Sequence, residues 1–280
     1  MFWGFDGNKI INNECCDCSK YFDWVLCRKI VIKNVDKPNI VFCKSDFLSN
    51  HIETLKSINH EFILVTGASD ICVELSNKTL FNKVLQIANI KIWYGENMIS
   101  QHTKIKSLTA GFGACYNKNI IEERLTNLNE NKIHKIFCCW RNTNNDYKDY
   151  RERQELTKIN NELFIHHSNL YTHEFWNMLD TYKFTLCPLG NGIDTAPKII
   201  ECLLLKSVPI CKRNANTIRL YSKFPVLWVD DWNEINIDLL DTKGDELYQI
   251  LKNNTYIENF KIKTILNNIY NTCANNGSDI

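Results

Sequence analysis

The chain lacks the long apolar run, roughly 20 residues, that a membrane helix needs, and its amino terminus, MFWGFDGNKI, has no basic segment leading into an apolar one. A protein with no transmembrane segment, resident in the cytoplasm, is expected. An excess of charge is also missing. The 33 Lys and Arg residues stand against 32 Asp and Glu, a net +1, so no global field draws the chain to nucleic acid or to an anionic membrane. Low-complexity linkers and repeats of solenoid length are absent, which excludes a stacked-repeat architecture. The 13 cysteines lack regular spacing. Cys15, Cys16 and Cys18, with Cys27 and Cys43 beyond them, form the one ligand-like cluster, and the second close pair that structural zinc needs does not follow. Cys138, Cys139, Cys187 and Cys211 lie in apolar runs, where a reduced thiol behaves as a small hydrophobe, so reduced, non-ligating cysteines are expected.

The composition, 44% hydrophobic and 23% charged over 280 residues, suits a globular protein with room for two α/β domains. The most informative stretch runs from Phe184 to Trp232. An apolar run, FTLC, breaks into PLGNGID, and a helical pattern begins near Pro197, a residue favoured in a helix's first turn. Strand, glycine loop and helix start present backbone N–H groups and a positive dipole end, a corner suited to phosphate. On that helix Ile199, Ile200, Cys202, Leu203 and Leu204 make the packed side, and Lys198 and Glu201 share another face one turn apart. Apolar runs at 208–211 and 225–229 read as further buried strands, the second closed by Asp230-Asp231-Trp232, for which a structural role is expected.

Earlier in the chain, runs at 39–43, 61–66, 90–94 and 105–108 read as strands, with helical spacing at 46–57 and 77–88. The polar stretch 129–132 is the best linker, and the pattern restarts with a strand at 133–140, a helix at 150–163, a strand at 163–166 and a helix at 173–183. Arg141, Arg151 and Arg153 fall just past the carboxyl end of the 133–140 strand, where anionic groups should gather. The closing 245–271 is amphipathic helix in one or two pieces. Domains are expected at 1–130, an acceptor domain, and 131–280, a nucleotide-sugar-binding domain, with the last helix free to pack back on the first.

The residues at 188–194, 208–210 and 224–232 resemble the carboxyl-terminal half of exostosin-like glycosyltransferases, in which a P-x-G-N-G-I-D loop precedes a helix bearing a glutamate. Upstream, the strand ending Thr66…Asp70 and the later Trp93, Asn97 and Lys104 resemble that family's first domain, without its proline turn. A further departure is Thr195-Ala196-Pro197-Lys198, where the family carries His-Arg; Lys198 stands in for its basic residue. The resemblance implies a GT-B fold, two Rossmann-like domains facing across a cleft, as found in compact members from large DNA viruses or bacteria. A viral member would reside in the host cytoplasm. It also implies inverting transfer of a sugar, xylose or another pentose or hexose, from a nucleotide sugar to a glycan hydroxyl, with no cofactor and a UDP-sugar as donor.

In that setting Gly190, Asn191 and Gly192 let the backbone approach the diphosphate, Arg141, Arg151 and Lys198 neutralise its charge, and Glu201 accepts from the ribose, with Asp194 completing the loop. The plainer readings are a tight turn for the glycines and a dipole-stabilised carboxylate for Glu201. Asp70, at a strand end, is the first candidate for the catalytic base, with Glu96 and His102 in reserve. No Asp-x-Asp occurs, so a metal grip on the diphosphate is not expected. Thr66-Gly67-Ala68-Ser69 and Tyr248-x-x-x-Lys252 also resemble short-chain dehydrogenases, but Asp70-Ile71-Cys72 stands where further glycines would be needed. The alternative function is a degenerate glycosyltransferase fold that binds a sugar or a partner without turnover.

Overall fold

The structure, a computed structural model, describes residues 19–28, 31–109, 111, 124–140, 151–159, 161–168, 170–195 and 197–275. The chain divides into two compact units: residues 1–116 with 192–194 and 259–280, and residues 117–191 with 195–258. Each is built on a sheet of largely or wholly parallel strands, so the protein is of the α/β class.

The first unit carries β1 (Trp24–Leu26), β2 (Val31–Lys33), β3 (Ile40–Lys44), β4 (Phe62–Gly67), β5 (Ile90–Glu96) and β6 (Ile105–Leu108), in the order β2-β1-β3-β4-β5-β6. Among the described strands of this unit only the β1–β2 pair is antiparallel. The strands read as unbroken apolar runs because both faces are covered. Val41, Cys43 and Leu64 point to one side, into a core shared with Leu48, Leu55, Phe81 and Val84. These last come from a 3-10 turn (Ser45–His51), α1 (Ile52–Lys56) and α3 (Lys78–Leu85), the short α2 (Val73–Ser76) preceding α3. Ile40, Phe42, Ile63, Val65 and Ile92 alternate to the other side and meet Ile262, Leu266 and Ile269. Those three form an i, i+4, i+7 stripe on the closing helix, Ile262–Asn275, and each buried side chain contributes roughly 1.5–3 kcal/mol. Asn77 caps α3 by accepting the Leu80 N–H at 2.9 Å.

The second unit carries β7 (Ile133–Cys139), β8 (Phe164–His167), β9 (Tyr182–Leu186), β10 (Val208–Lys212) and β11 (Leu227–Val229), all parallel, in the order β11-β10-β9-β7-β8. Its helices are α4 (Arg151–Thr157), α5 (Thr172–Thr181), α6 (Lys198–Leu204), α7 (Ala215–Tyr221) and α8 (Asp245–Asn253), which makes Ile262–Asn275 α9. α4 is half the length expected at 150–163: after Thr157 the Lys158 N–H turns back to Glu155 O in a tighter three-residue bond. α8 is entered through a π-helical turn, Leu240–Gly244, where a Cβ on Gly244 would lie 2.8 Å from the Phe184 ring. At the amino end of the sheet Lys132 donates to the Leu179 carbonyl at 3.1 Å and pairs with Asp180 at 3.2 Å, closing the carboxyl end of α5 with a cation. No helix among the described residues is long and apolar enough to cross a membrane.

Candidate functional site

In the second unit the strand order reverses at β7, which lies between β8 and β9. β7 is thus followed in sequence by a strand on one side of it and β9 by a strand on the other, and the carboxyl ends at such a reversal are where open parallel sheets take ligands. The glycine loop leaves β9 at this point. Its start is gripped by α4: Arg153 Nε and Nη2 donate to the Leu189 carbonyl at 2.9 and 2.6 Å, and Glu152 Oε2 accepts the Leu189 N–H at 3.3 Å. The other Glu152 oxygen accepts the Trp232 indole N–H at 3.1 Å, so the Asp-Asp-Trp segment is tied to the same helix start. Asp231 caps the turn Trp232–Glu234 by accepting the Asn233 N–H at 2.9 Å. Arg153 thus orders the loop through its carbonyl rather than standing free for an anion.

Lys198 opens α6 and donates to the Cys139 carbonyl at the end of β7, with its ammonium 5.7 and 5.8 Å from the rings of Trp140 and Phe175. A cation therefore sits at the switch point, at the carboxyl end of β7. Glu201 departs from the sequence expectation of a polar face. It is 2% exposed, and its Oε1 accepts the Trp176 indole N–H at 3.0 Å. The face that periodicity left polar is covered by α5, which brings Trp176 against α6. Arg141 lies outside the described residues; Arg151 is the first residue of α4, and its side chain lies outside them too.

Gly192 and Asp194 fall elsewhere. Residues 192–194 cluster with the first unit, where the Ile193 N–H donates to Asn97 Oδ1 at 2.9 Å. A Cβ on Gly192 would come within 2.2 Å of that oxygen, so only glycine fits. Asn97 has φ of 53° and Ala68 of 56°, both in the left-handed region that costs non-glycine residues energy. The Asn97 amide also donates to Ser69 O at 2.9 Å.

Beside Asn97 the carboxyl ends of β3, β4 and β5 assemble a polar cluster. Lys44 is in register with Gly67, and Glu96 follows Gly95, the partner of Thr66. The Glu96 carboxyl lies over Gly67, whose Cβ would be 2.6 Å from Glu96 Cδ, and its Oε2 accepts the Ala68 N–H at 2.8 Å. Oε1 is buried without a hydrogen-bond partner among the described residues. Burial holds this carboxyl well above the usual carboxylate range; Asp194 and Asp70 add to the rise, while the Ala68 N–H and Lys44 oppose it. Lys44 is itself buried, pairs with Asp46 at 2.5 Å and donates to the Ala68 carbonyl. Asp70 is exposed. So is His102, whose Nδ1 accepts the Lys104 N–H at 3.1 Å.

No family model and no curated protein matches the chain. Among the described residues no group of three or more His, Cys, Asp or Glu side chains is placed to hold a metal. Sequence reasoning missed Lys44, although a lysine closing the apolar run IVFCK was a signal for a buried cation at a strand end. It also missed Glu152 and Trp176, which position the loop and Glu201 through contacts far apart in sequence.

Proposed function

We propose that the protein is an inverting glycosyltransferase of the GT-B type, moving a sugar, xylose or another pentose or hexose, from a nucleotide sugar to a glycan hydroxyl without a metal. The observation that carries this reading is the meeting of the glycine loop and Lys198 at the topological switch point of the second sheet. Gly190 and Asn191 offer backbone N–H groups to the diphosphate, Lys198 and Arg141 balance its charge, and Glu201, oriented by Trp176, accepts from the ribose. The exostosin-like motif supports the same assignment. In the reaction the acceptor oxygen bonds to the anomeric carbon as the bond to the diphosphate oxygen breaks, with inversion, and the acceptor proton passes to a carboxylate. We assign that role to Glu96 in place of Asp70, because a buried carboxyl with a raised pKa holds a proton near working pH better than an exposed one.

The test is a thermal-shift panel of nucleoside diphosphates and UDP-sugars, repeated in EDTA, followed by product analysis. A ligand at a hundred times its Kd should stabilise by about 2.7 kcal/mol. Absence of any shift would sink the donor site, and loss of the shift in EDTA would sink the metal-free grip. The replacement of the family's His-Arg by Thr195–Lys198 favours the second reading, a binding protein; donor binding without hydrolysis or transfer would establish it.

A further inference from the structure

Tyr171 is 74% exposed, and its ring lies nearly parallel to that of His173, at 5° and 6.3 Å between centroids. Both stand where the chain leaves β8 for α5, and the last residue of β8, His167, is in register with Cys139 at the end of β7. The pair therefore rises from the strand next to the switch point. From there α5 leads inward. Phe175, whose N–H donates to Tyr171 O at 2.9 Å, stands one turn on, with its ring 5.8 Å from the Lys198 ammonium. Trp176 follows and holds Glu201. The start of this helix thus presents an exposed ring pair, then the neighbour of the lysine, then the partner of the carboxylate. The ring pair thus stands one helical turn, about 5.4 Å, from the ring beside the Lys198 ammonium, a span within reach of a nucleoside diphosphate whose phosphate meets that cation.

We infer that Tyr171 and His173 form a stacking platform for the base of the nucleotide, an assignment that rests on the donor-site reading above. An exposed aromatic face accepts any base, since every base offers a π-face, so the platform adds affinity without choosing between uridine and adenosine. The stacking is a contact of the two rings, and phenylalanine offers the same ring. Tyr171→Phe should therefore retain function where Tyr171→Ala loses it.

The experiment is calorimetric titration of the wild type, Tyr171→Ala, Tyr171→Phe and His173→Ala with UDP, ADP and inorganic pyrophosphate, with melting curves of each variant. Tyr171→Ala should weaken both nucleotides by roughly tenfold or more, as loss of one base–aromatic stack does, and leave pyrophosphate binding unchanged. His173→Ala should weaken the nucleotides less, and Tyr171→Phe should bind within about twofold of the wild type. Unaltered UDP and ADP affinity in Tyr171→Ala, or an equal loss for pyrophosphate, overturns the platform while the donor site stands. A wild type that binds neither nucleotides nor pyrophosphate overturns the donor site, and the platform with it.

Discussion

The Trp176 indole N–H meets Glu201 Oε1 at 3.0 Å, with both side chains buried where α5 lies against α6. A carboxylate taken out of water in this way keeps its charge only with such donors, and leaving it without one is costly. Trp176→Phe keeps the aromatic bulk and removes the donor, so the protein should lose about 1–3 kcal/mol of stability in urea unfolding. Glu201→Gln retains an acceptor for the indole and removes the charge. Its stability should change less than that of Trp176→Phe, while affinity for a nucleoside diphosphate should fall by about 1.5–3 kcal/mol, the range of hydrogen bonds to a charged group. Unchanged affinity in Glu201→Gln would leave the residue a purely structural partner of Trp176.

Gly67 has no room for a side chain, because its Cβ would lie 2.6 Å from Glu96 Cδ and 2.8 and 2.9 Å from the two oxygens. Glu96 is buried and held by the Ala68 N–H, so it cannot swing into solvent to make space. Gly67→Ala should cost about 1–3 kcal/mol, the range for overpacking, and should slow transfer more than it weakens nucleotide binding. Equal loss of the two would point to a general folding defect.

Most of the described thiols are closed off by packing. Cys27, Cys43, Cys138, Cys187, Cys202 and Cys211 are all buried, and burial pushes the Cys43 and Cys138 thiols far above their ordinary range. Cys187 and Cys202 have their sulfurs 3.8 Å apart, well beyond a disulfide bond. These six cysteines should react with a thiol reagent only as fast as the protein unfolds. Rapid labelling of any of them by mass spectrometry under native conditions would contradict the packing.

Much of the framework is legible because its signals are local. Runs such as FILVTG and IVFCK are apolar on both faces, and strands covered on both sides must read that way. The loop PLGNGID followed by Pro197 marks a strand-to-helix corner from residue types alone. What stayed hidden depends on partners distant in sequence. Periodicity over α6 shows one packed side, yet α5 covers the other, so the wheel that exposes Glu201 is wrong about it. Asp70 and Glu96 look alike as acids at strand ends, and only the sheet register, with Glu96 lying over Gly67, separates a buried carboxyl from an exposed one. Asn97 sits in a left-handed conformation that nothing in its neighbours announces.

Glu96 makes the sharpest prediction because rate and stability must respond to pH in opposite senses. Its folded pKa is raised, chiefly by burial, so between the ordinary carboxylate range and the raised value the folded chain binds a proton that the unfolded chain has lost. Stability from this group is therefore full below the ordinary range and declines as pH rises through that window. Glu96→Gln cannot ionise, so its melting temperature relative to the wild type should climb steadily from pH 4.5 to pH 8. Activity runs the other way. A general base works ionised, so kcat/KM of the wild type should rise with pH along a limb displaced above the ordinary carboxylate range. In Glu96→Gln the rate should fall by roughly a hundredfold or more and lose that limb, while Asp70→Asn, altering an exposed carboxylate nearby, should keep the limb and most of the rate. Retention of the limb in Glu96→Gln, with its loss in Asp70→Asn, would return the base to Asp70 and leave Glu96 a buried acid that only shapes the strand ends.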